Sequence, residues 1–203
     1  MKTTKEKIIP PPTEAQVEQY LKKWTELHNY VLQESSLKKL FHETYPNNNE
    51  MDDVLIKVCA LNDFYGTHIL SPFNVAKRIV ELNIDERLAK GDMVLVNEIA
   101  ANEINGKKKN FYSFASKYCS HHKPQDYPIY DFFVKEVLLH FLKEDKFYSF
   151  KKEDLKNYPV FKEILLQFRK FYHLEEYDLK KLDKYLWLFG KEYFPRKYNE
   201  VII

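Results

Sequence analysis

Glycine and cysteine are scarce in this sequence. It contains 4 Gly among 203 residues, well below the roughly 7% that is typical of proteins. Neither a GxGxxG fingerprint nor a P-loop can be drawn, which argues against the nucleotide-binding α/β folds built on such loops. The 2 cysteines, Cys59 and Cys119, lie in apolar helical patterns. No second Cys/His cluster complements Cys119, His121 and His122 as a zinc site, so we expect no metal.

The sequence also lacks an apolar run of membrane length and a signal peptide. Reduced thiols in a cytoplasm are the simplest interpretation of the two cysteines, so we expect a cytoplasmic protein without a membrane partner. The charge is nearly balanced, with Lys+Arg 32 against Asp+Glu 30 and a net charge of +2. This balance does not by itself indicate a nucleic-acid partner, although Lys107, Lys108 and Lys109 form a local basic cluster.

Aromatic residues and helical periodicity are abundant. Aromatics make up 16% of the chain, and a chain of this length can bury a substantial core. Residues 1–12 are charged and end in three prolines, which predicts an N-terminal arm. The segment Thr13–Gln16 is typical of a capping box that opens the first helix. Because no strand-like alternation persists, we predict one all-α domain over residues 13–203. Within it we predict helices over residues 52–65, 92–104 and 178–189, with Gly66 ending the first of these and Gly190 the last.

The stretch from Asn110 to Asp131 is the most informative part of the chain. Asn110 is a plausible N-cap, and Pro124 and Pro128 end the helix that follows it. Asp131 then stands at the natural N-cap position of the next helix. One helix face is apolar and comprises Phe111, Phe114, Ala115, Tyr118, Cys119 and His122. The opposite face comprises Ser113, Ser116, Lys117, Ser120 and His121.

This stretch resembles the helix-hairpin-helix DNA glycosylase superfamily, most closely its 8-oxoguanine DNA glycosylase-like branch. In that family a hairpin leads into a helix with a nucleophilic lysine, and an aspartate opens the next helix. Lys117 in SFASKYC matches the lysine, and Asp131 in YPIYD matches the aspartate. The resemblance covers roughly residues 62–139 and implies two helical lobes. The hairpin is degenerate, because no glycine lies between Gly106 and Lys117.

The resemblance implies a base-excision DNA glycosylase and AP lyase that removes an oxidised purine, with 8-oxoguanine as the expected lesion. Lys117 would attack the C1′ carbon of the sugar and form a Schiff base, and Asp131 would stabilise positive charge on the sugar. A charged His121, one turn further on, would help to keep Lys117 neutral. The implied partner is double-stranded DNA with a damaged base. No cofactor and no obligate protein partner are implied.

Further site residues are predicted by position. The expected DNA contacts are Lys107, Lys108, Lys109 and Asn110 at the helix N-terminus, with Ser113, Ser116 and His121 on the polar face. The candidates for the base pocket or the wedge are Tyr65, His68, Trp187 and Phe189. Two alternatives remain open at this point. One is a catalytically silent helical DNA-binding module, and the other is an all-α protein-interaction module.

Overall fold

A computed structural model describes residues 8–196, so residues 1–7 of the predicted arm lie outside the described part. Within this part the chain is mostly helical, and the predicted all-α class is confirmed. The α-helices are α1 (Glu14–Glu26), α2 (His28–Lys39), α3 (Met51–Tyr65), α4 (Pro72–Glu81), α5 (Ile84–Ala89), α6 (Val94–Ala100), α7 (Tyr112–His122), α8 (Phe132–Glu144), α9 (Tyr158–Phe171) and α10 (Leu179–Tyr193). A π-helical turn (Leu40–Thr44), a 3₁₀ turn (Lys152–Lys156) and strands β1 (Ala101–Ile104) and β2 (Lys107–Asn110) complete the described part.

Local capping signals explain where several helices begin and end. Thr13 Oγ1 accepts a hydrogen bond from the backbone N–H of Gln16 at 3.3 Å at the start of α1. Asp131 and Asp178 likewise cap α8 and α10. Gly66 ends α3 in the left-handed region, with φ of 53°, as glycine after a helix favours. These boundaries were predicted from the sequence and are confirmed.

The segment before α7 differs from the prediction of one helix over residues 92–104. Helix α6 ends at Ala100, and an antiparallel β-hairpin follows in which Ala101 pairs with Asn110 and Ile104 pairs with Lys107. Its turn residues, Asn105 and Gly106, have φ of 52° and 70°. Asn-Gly is the strongest short signal for a two-residue hairpin turn, because both residues tolerate positive φ. This local preference ends the helix early.

The hairpin changes the position of the predicted cap and of the basic turn. Asn110 is the last residue of β2, and Phe111 takes the N-cap position of α7 without a side-chain cap bond. The prediction of Asn110 as the cap is therefore wrong. Lys107, Lys108 and Lys109 are exposed along β2, so they do not form the predicted basic turn at a helix N-terminus.

Gly190 was predicted to end the last helix, yet α10 continues through it to Tyr193. A methyl group at Gly190 would lie 2.7 Å from Phe133 Cβ and 2.9 Å from the Phe133 carbonyl oxygen. Glycine therefore serves here to let α10 approach α8 closely, rather than to end the helix.

Helix α10 packs against α1 and α8, and α3 packs against α4. Helices α3 and α6 both pack against α7. Helix α7 is consequently buried on nearly all sides, including most of its polar face. None of the helices within residues 8–196 combines the length and the apolar character needed to span a membrane.

Candidate functional site

A cavity of about 660 Å³ is lined by residues of α1, α2, α3, α7, α8 and α10. Its wall is formed by the α1–α2 region, the loop after α3, the polar side of α7, the start of α8 and one side of α10. The residues that matter most for its chemistry are Trp24, Tyr30, Glu34, Tyr65, His68, Ser113, Lys117, Asp131, Phe133, Lys180, Asp183, Trp187 and Lys191. The cavity thus brings together Lys117 and Asp131 and adds groups from distant parts of the chain.

Lys117 is buried rather than solvated, with 4% of its surface exposed. Its Nζ donates to Ser113 Oγ at 2.7 Å and lies 3.5 Å from the Tyr130 carbonyl oxygen. The centroid of the Tyr65 ring is 5.3 Å from the same nitrogen. Burial lowers the pKa of Lys117, although the nearby carboxyl of Asp131 opposes this. The amine therefore releases its proton more readily than a lysine in water.

Asp131 lies at the N-terminus of α8 and is 8% exposed. Its Oδ1 accepts a hydrogen bond from the backbone N–H of Val134 at 2.8 Å. The loop that carries it is fixed to α7 by Ser116, whose Oγ accepts from the Tyr130 backbone N–H at 3.0 Å and lies 3.3 Å from the Tyr130 carbonyl oxygen. The nearer acceptor for the hydroxyl proton is the Ser113 carbonyl at 3.0 Å. Because Tyr130 directly precedes Asp131, the contact between Ser116 and Tyr130 sets the distance between the carboxylate and α7.

Ser116 is fully buried in this contact, so its predicted role as a DNA contact is wrong. The same correction applies to His121, which is 8% exposed. Its Nε2 shares a hydrogen bond with Tyr65 Oη at 3.0 Å. Burial holds the pKa of His121 well below its usual range, so the imidazole is neutral at physiological pH. A charged His121 that helps Lys117 is therefore contradicted as well.

The four predicted pocket or wedge residues separate into two sets. Tyr65, His68 and Trp187 line the cavity. Phe189 is fully buried and packs 5.9 Å from the Tyr20 ring, so its predicted role in the pocket is wrong. Two residues along a helix differ by about 200° in direction, which places Trp187 and Phe189 on opposite sides of α10.

The remaining predicted DNA contacts lie in different places. Ser113 lines the cavity and accepts the hydrogen bond from Lys117. The exposed strand β2 lies outside the cavity wall and carries Lys107, Lys108, Lys109 and Asn110. In the part of the chain that the structure describes, no group of three or more His, Cys, Asp or Glu residues could hold a metal ion.

The sequence-based prediction missed two acidic residues of the cavity. Asp183 on α10 stands one helical turn before Trp187, a spacing that puts both side chains on one face. Burial, reinforced by the charges of Asp131 and Glu34, raises the pKa of Asp183 to about 7. Glu34 on α2 binds Lys184 at 2.7 Å and Lys180 at 3.5 Å, and these ion pairs lower its pKa despite burial.

Comparison with known proteins identifies the family to which the chain belongs. The model of the HI_0787_N family, described as an N-terminal domain, matches residues 16–126, which include Lys117 but end before Asp131. An uncharacterized protein of Haemophilus influenzae is 49% identical over 150 residues, covering 73% of this chain and 72% of the relative. No solved structure matches the chain. The chain therefore belongs to the HI_0787_N family.

Proposed function

We propose that this member of the family is a base-excision DNA glycosylase and AP lyase that acts through a Schiff base on Lys117. The observation that carries the proposal is a buried lysine amine, hydrogen-bonded to neutral oxygens, at the wall of a cavity of about 660 Å³. An oxidised purine, with 8-oxoguanine as the expected lesion, is the proposed substrate. Double-stranded DNA is the proposed partner and the cytoplasm the proposed location, with no cofactor required.

The state of the amine suits a nucleophile. An ordinary lysine titrates near 10.4 and is protonated at physiological pH, whereas burial lowers the pKa of Lys117. A larger share of neutral amine follows, and only the neutral amine can attack a carbon atom. A neutral amine is the first requirement for covalent chemistry by a lysine, and the lowered pKa of Lys117 favours it.

The size and the lining of the cavity suit an extruded nucleotide. Excision requires the target base to leave the stack, since C1′ cannot be reached inside a duplex. The volume of about 660 Å³ lies within the roughly 300–1,000 Å³ of small-molecule sites. Tyr65, Tyr30 and Trp187 offer aromatic surface on which a base can stack.

Asp131 would act on the sugar. In the proposed reaction Lys117 Nζ attacks C1′ and the bond to the base breaks, so positive charge develops on the sugar. The Asp131 carboxylate, held in place by the Val134 N–H, would stabilise that charge and then take up a proton. β-Elimination from the Schiff base would cleave the strand at the lesion.

Cations around the cavity mouth and on the hairpin would bind DNA phosphates. Lys191 and Arg196 line the cavity, and Lys107, Lys108 and Lys109 are exposed on β2. Lysine and arginine contacts with phosphates supply the salt-dependent part of duplex binding. We therefore expect affinity for duplex DNA to fall steeply as the salt concentration rises.

The second candidate function is a catalytically silent DNA-binding module. It is favoured by the connection before α7, which is a lysine-rich β-hairpin instead of the glycine hairpin of the glycosylases. Such a module would bind duplex DNA with the same salt dependence, but it would form no covalent bond with the sugar.

Borohydride trapping tests the proposal and separates the two candidates. The protein would be incubated with duplexes that carry 8-oxoguanine, uracil, an abasic site or no lesion. Trapping on 8-oxoguanine and on the abasic site is the expected result. Trapping on the abasic site alone would keep the lysine chemistry and overturn 8-oxoguanine as the substrate. Duplex binding without trapping on any substrate would replace the enzyme with the silent module.

A further inference from the structure

Asp183 is a half-buried carboxyl group that the proposed chemistry has not yet used. It lies on α10 and lines the same cavity as Lys117 and Asp131. We propose that Asp183 is the proton donor to the departing base, an inference that rests on the glycosylase function proposed above.

The other two carboxyl groups of the cavity have direct polar partners. Asp131 accepts the backbone N–H at the start of α8. Glu34 binds Lys180 and Lys184. Asp183, in contrast, makes no hydrogen bond and no ion pair within residues 8–196. Among these three carboxyl groups it alone has no direct hydrogen-bond or ion-pair partner in the described residues.

The surroundings of Asp183 favour the protonated form. The charged groups that face it are Glu34 from α2, Lys117 from α7, Asp131 at the start of α8 and Lys180 from its own helix. Burial has the largest effect, and the two carboxylates add to it, while the two lysines oppose them. The resulting pKa of about 7 means that a substantial fraction of Asp183 carries a proton at neutral pH. A general acid is most effective when its pKa is near the working pH.

In the proposed step one bond to C1′ forms and another bond to C1′ breaks. The lone pair of neutral Lys117 Nζ forms a bond to C1′, and the glycosidic C1′–N bond breaks with its electron pair passing to the base. The base takes the proton of the Asp183 carboxyl group and leaves neutral. Asp183 is left as a carboxylate and Lys117 as a secondary ammonium. Proton transfer from that ammonium to a carboxylate of the cavity leaves a secondary amine. Its lone pair then forms the C1′=N bond of the Schiff base, while the C1′–O4′ bond breaks and O4′ takes up the proton.

An abasic substrate separates this role from that of Lys117, because it has no base to expel. We would measure single-turnover excision on an 8-oxoguanine duplex and trapping on an abasic duplex, each from pH 5 to 9, for the wild type and Asp183→Asn. For the wild type, excision should decline as the pH rises through about 7. For Asp183→Asn, we expect excision at least tenfold slower without this decline, while trapping on the abasic duplex stays within threefold.

The matched control is Glu34→Gln, which removes a carboxyl group from the same cavity wall. Its excision should retain the decline near neutral pH, because Asp183 is still present. An Asp183→Asn profile with the wild-type rate and decline would overturn the role of Asp183, and so would equal losses of excision and abasic trapping. A wild type that traps on neither duplex would instead overturn the glycosylase function itself.

Discussion

Two buried lysines lie on neighbouring helices, and their surroundings differ. Lys57 on α3 is fully buried and Lys117 on α7 is 4% exposed. Burial lowers the pKa of both, in the case of Lys57 to about 8. The Nζ of Lys57 donates to the carbonyls of Tyr45 and Asn47 at 3.0 and 2.7 Å and to Asn48 Oδ1 at 2.7 Å. Its three N–H groups are thus all used by neutral oxygens.

The network around Lys57 continues through Asn48. Asn48 Oδ1 also accepts from Tyr118 Oη at 2.6 Å and lies 3.1 Å from His122 Nε2. Its backbone N–H donates to Asp85 at 2.9 Å. Lys117 has one short hydrogen bond, to Ser113, and borders the cavity. A lowered lysine pKa therefore does not identify a reactive amine, whereas incomplete hydrogen bonding beside a cavity distinguishes Lys117 from Lys57.

The largest expected effect of any substitution is the loss of covalent chemistry in Lys117→Ala. Because the proposed Schiff base requires this amine, borohydride trapping on an abasic duplex should fall below detection. Lys57→Met is the matched control, since it removes the other buried amine and should leave trapping in place. Trapping that persists in Lys117→Ala would assign the chemistry to another amine. Loss of trapping in Lys57→Met alone would make Lys57, and not Lys117, the nucleophile.

Lys57→Met should instead lower the free energy of unfolding by about 3 kcal/mol. The part-buried carbonyls of Tyr45 and Asn47 lose this donor, whereas Asn48 Oδ1 keeps the bond from Tyr118 Oη. Each acceptor left unpaired costs roughly 1–3 kcal/mol, and relaxation of the Asn47–Asn48 loop recovers part of that sum. Urea denaturation followed by circular dichroism measures this change.

Lys117→Met supplies the contrast for that measurement. It removes a charge that is costly to bury and leaves the Ser113 hydroxyl partly exposed. Its free energy of unfolding should therefore stay within about 1 kcal/mol of the wild type. Equal losses in the two variants would show that both lysines serve the fold.

The sequence predicted the part of the site that depends on neighbouring residues. Periodicity placed Lys117 on the polar side of a helix, and the capping preference of aspartate placed Asp131 at the start of the next. Both features depend on a few residues along the chain, and the structure brings them to one cavity.

The features that the sequence did not predict depend on contacts between distant segments. Lys57 lies in an ordinary helical pattern, and its burial requires the loop around Asn48 to fold back over α3. Asp183 reaches the cavity only because α10 packs beside α8. The same packing decides which side of α10 faces the cavity, so the sequence assigned both Trp187 and Phe189 to the pocket, whereas Phe189 lies in the core.

Acidification should lower the free energy of unfolding, because His122 beside Lys57 gains a proton more readily in the unfolded state. Burial, with added repulsion from Lys57 and His42, lowers the pKa of His122 to about 3, while an unfolded histidine titrates near 6.5. Between these values the unfolded state binds more protons, so the free energy of unfolding falls as the pH falls from about 6.5 towards 3. His122 alone should lower the free energy of unfolding by about 2 kcal/mol between pH 7 and pH 5.

Urea denaturation at pH 7 and pH 5, for the wild type and His122→Gln, checks this effect. The glutamine variant cannot gain a proton, so its stability should decrease less on acidification than that of the wild type. Equal decreases in the two proteins would show that other groups cause the acid sensitivity.

The smallest expected effect comes from Ser113→Ala and concerns Lys117 alone. Ser113 Oγ accepts from Lys117 Nζ at 2.7 Å, and an acceptor at that distance favours the ammonium form. Its removal should lower the pKa of Lys117 further, so that trapping on an abasic duplex persists to lower pH than in the wild type. Because Ser113 is only half-buried, the free energy of unfolding should change by less than about 1 kcal/mol.

Ser120→Ala is the matched control, because Ser120 lies on the same helix but does not line the cavity. Its pH profile of trapping should coincide with that of the wild type. A shift of the Ser113→Ala profile to higher pH would contradict the assigned role of the hydroxyl. A shift to lower pH would show that one neutral acceptor restrains the amine of Lys117, where three such acceptors hold that of Lys57.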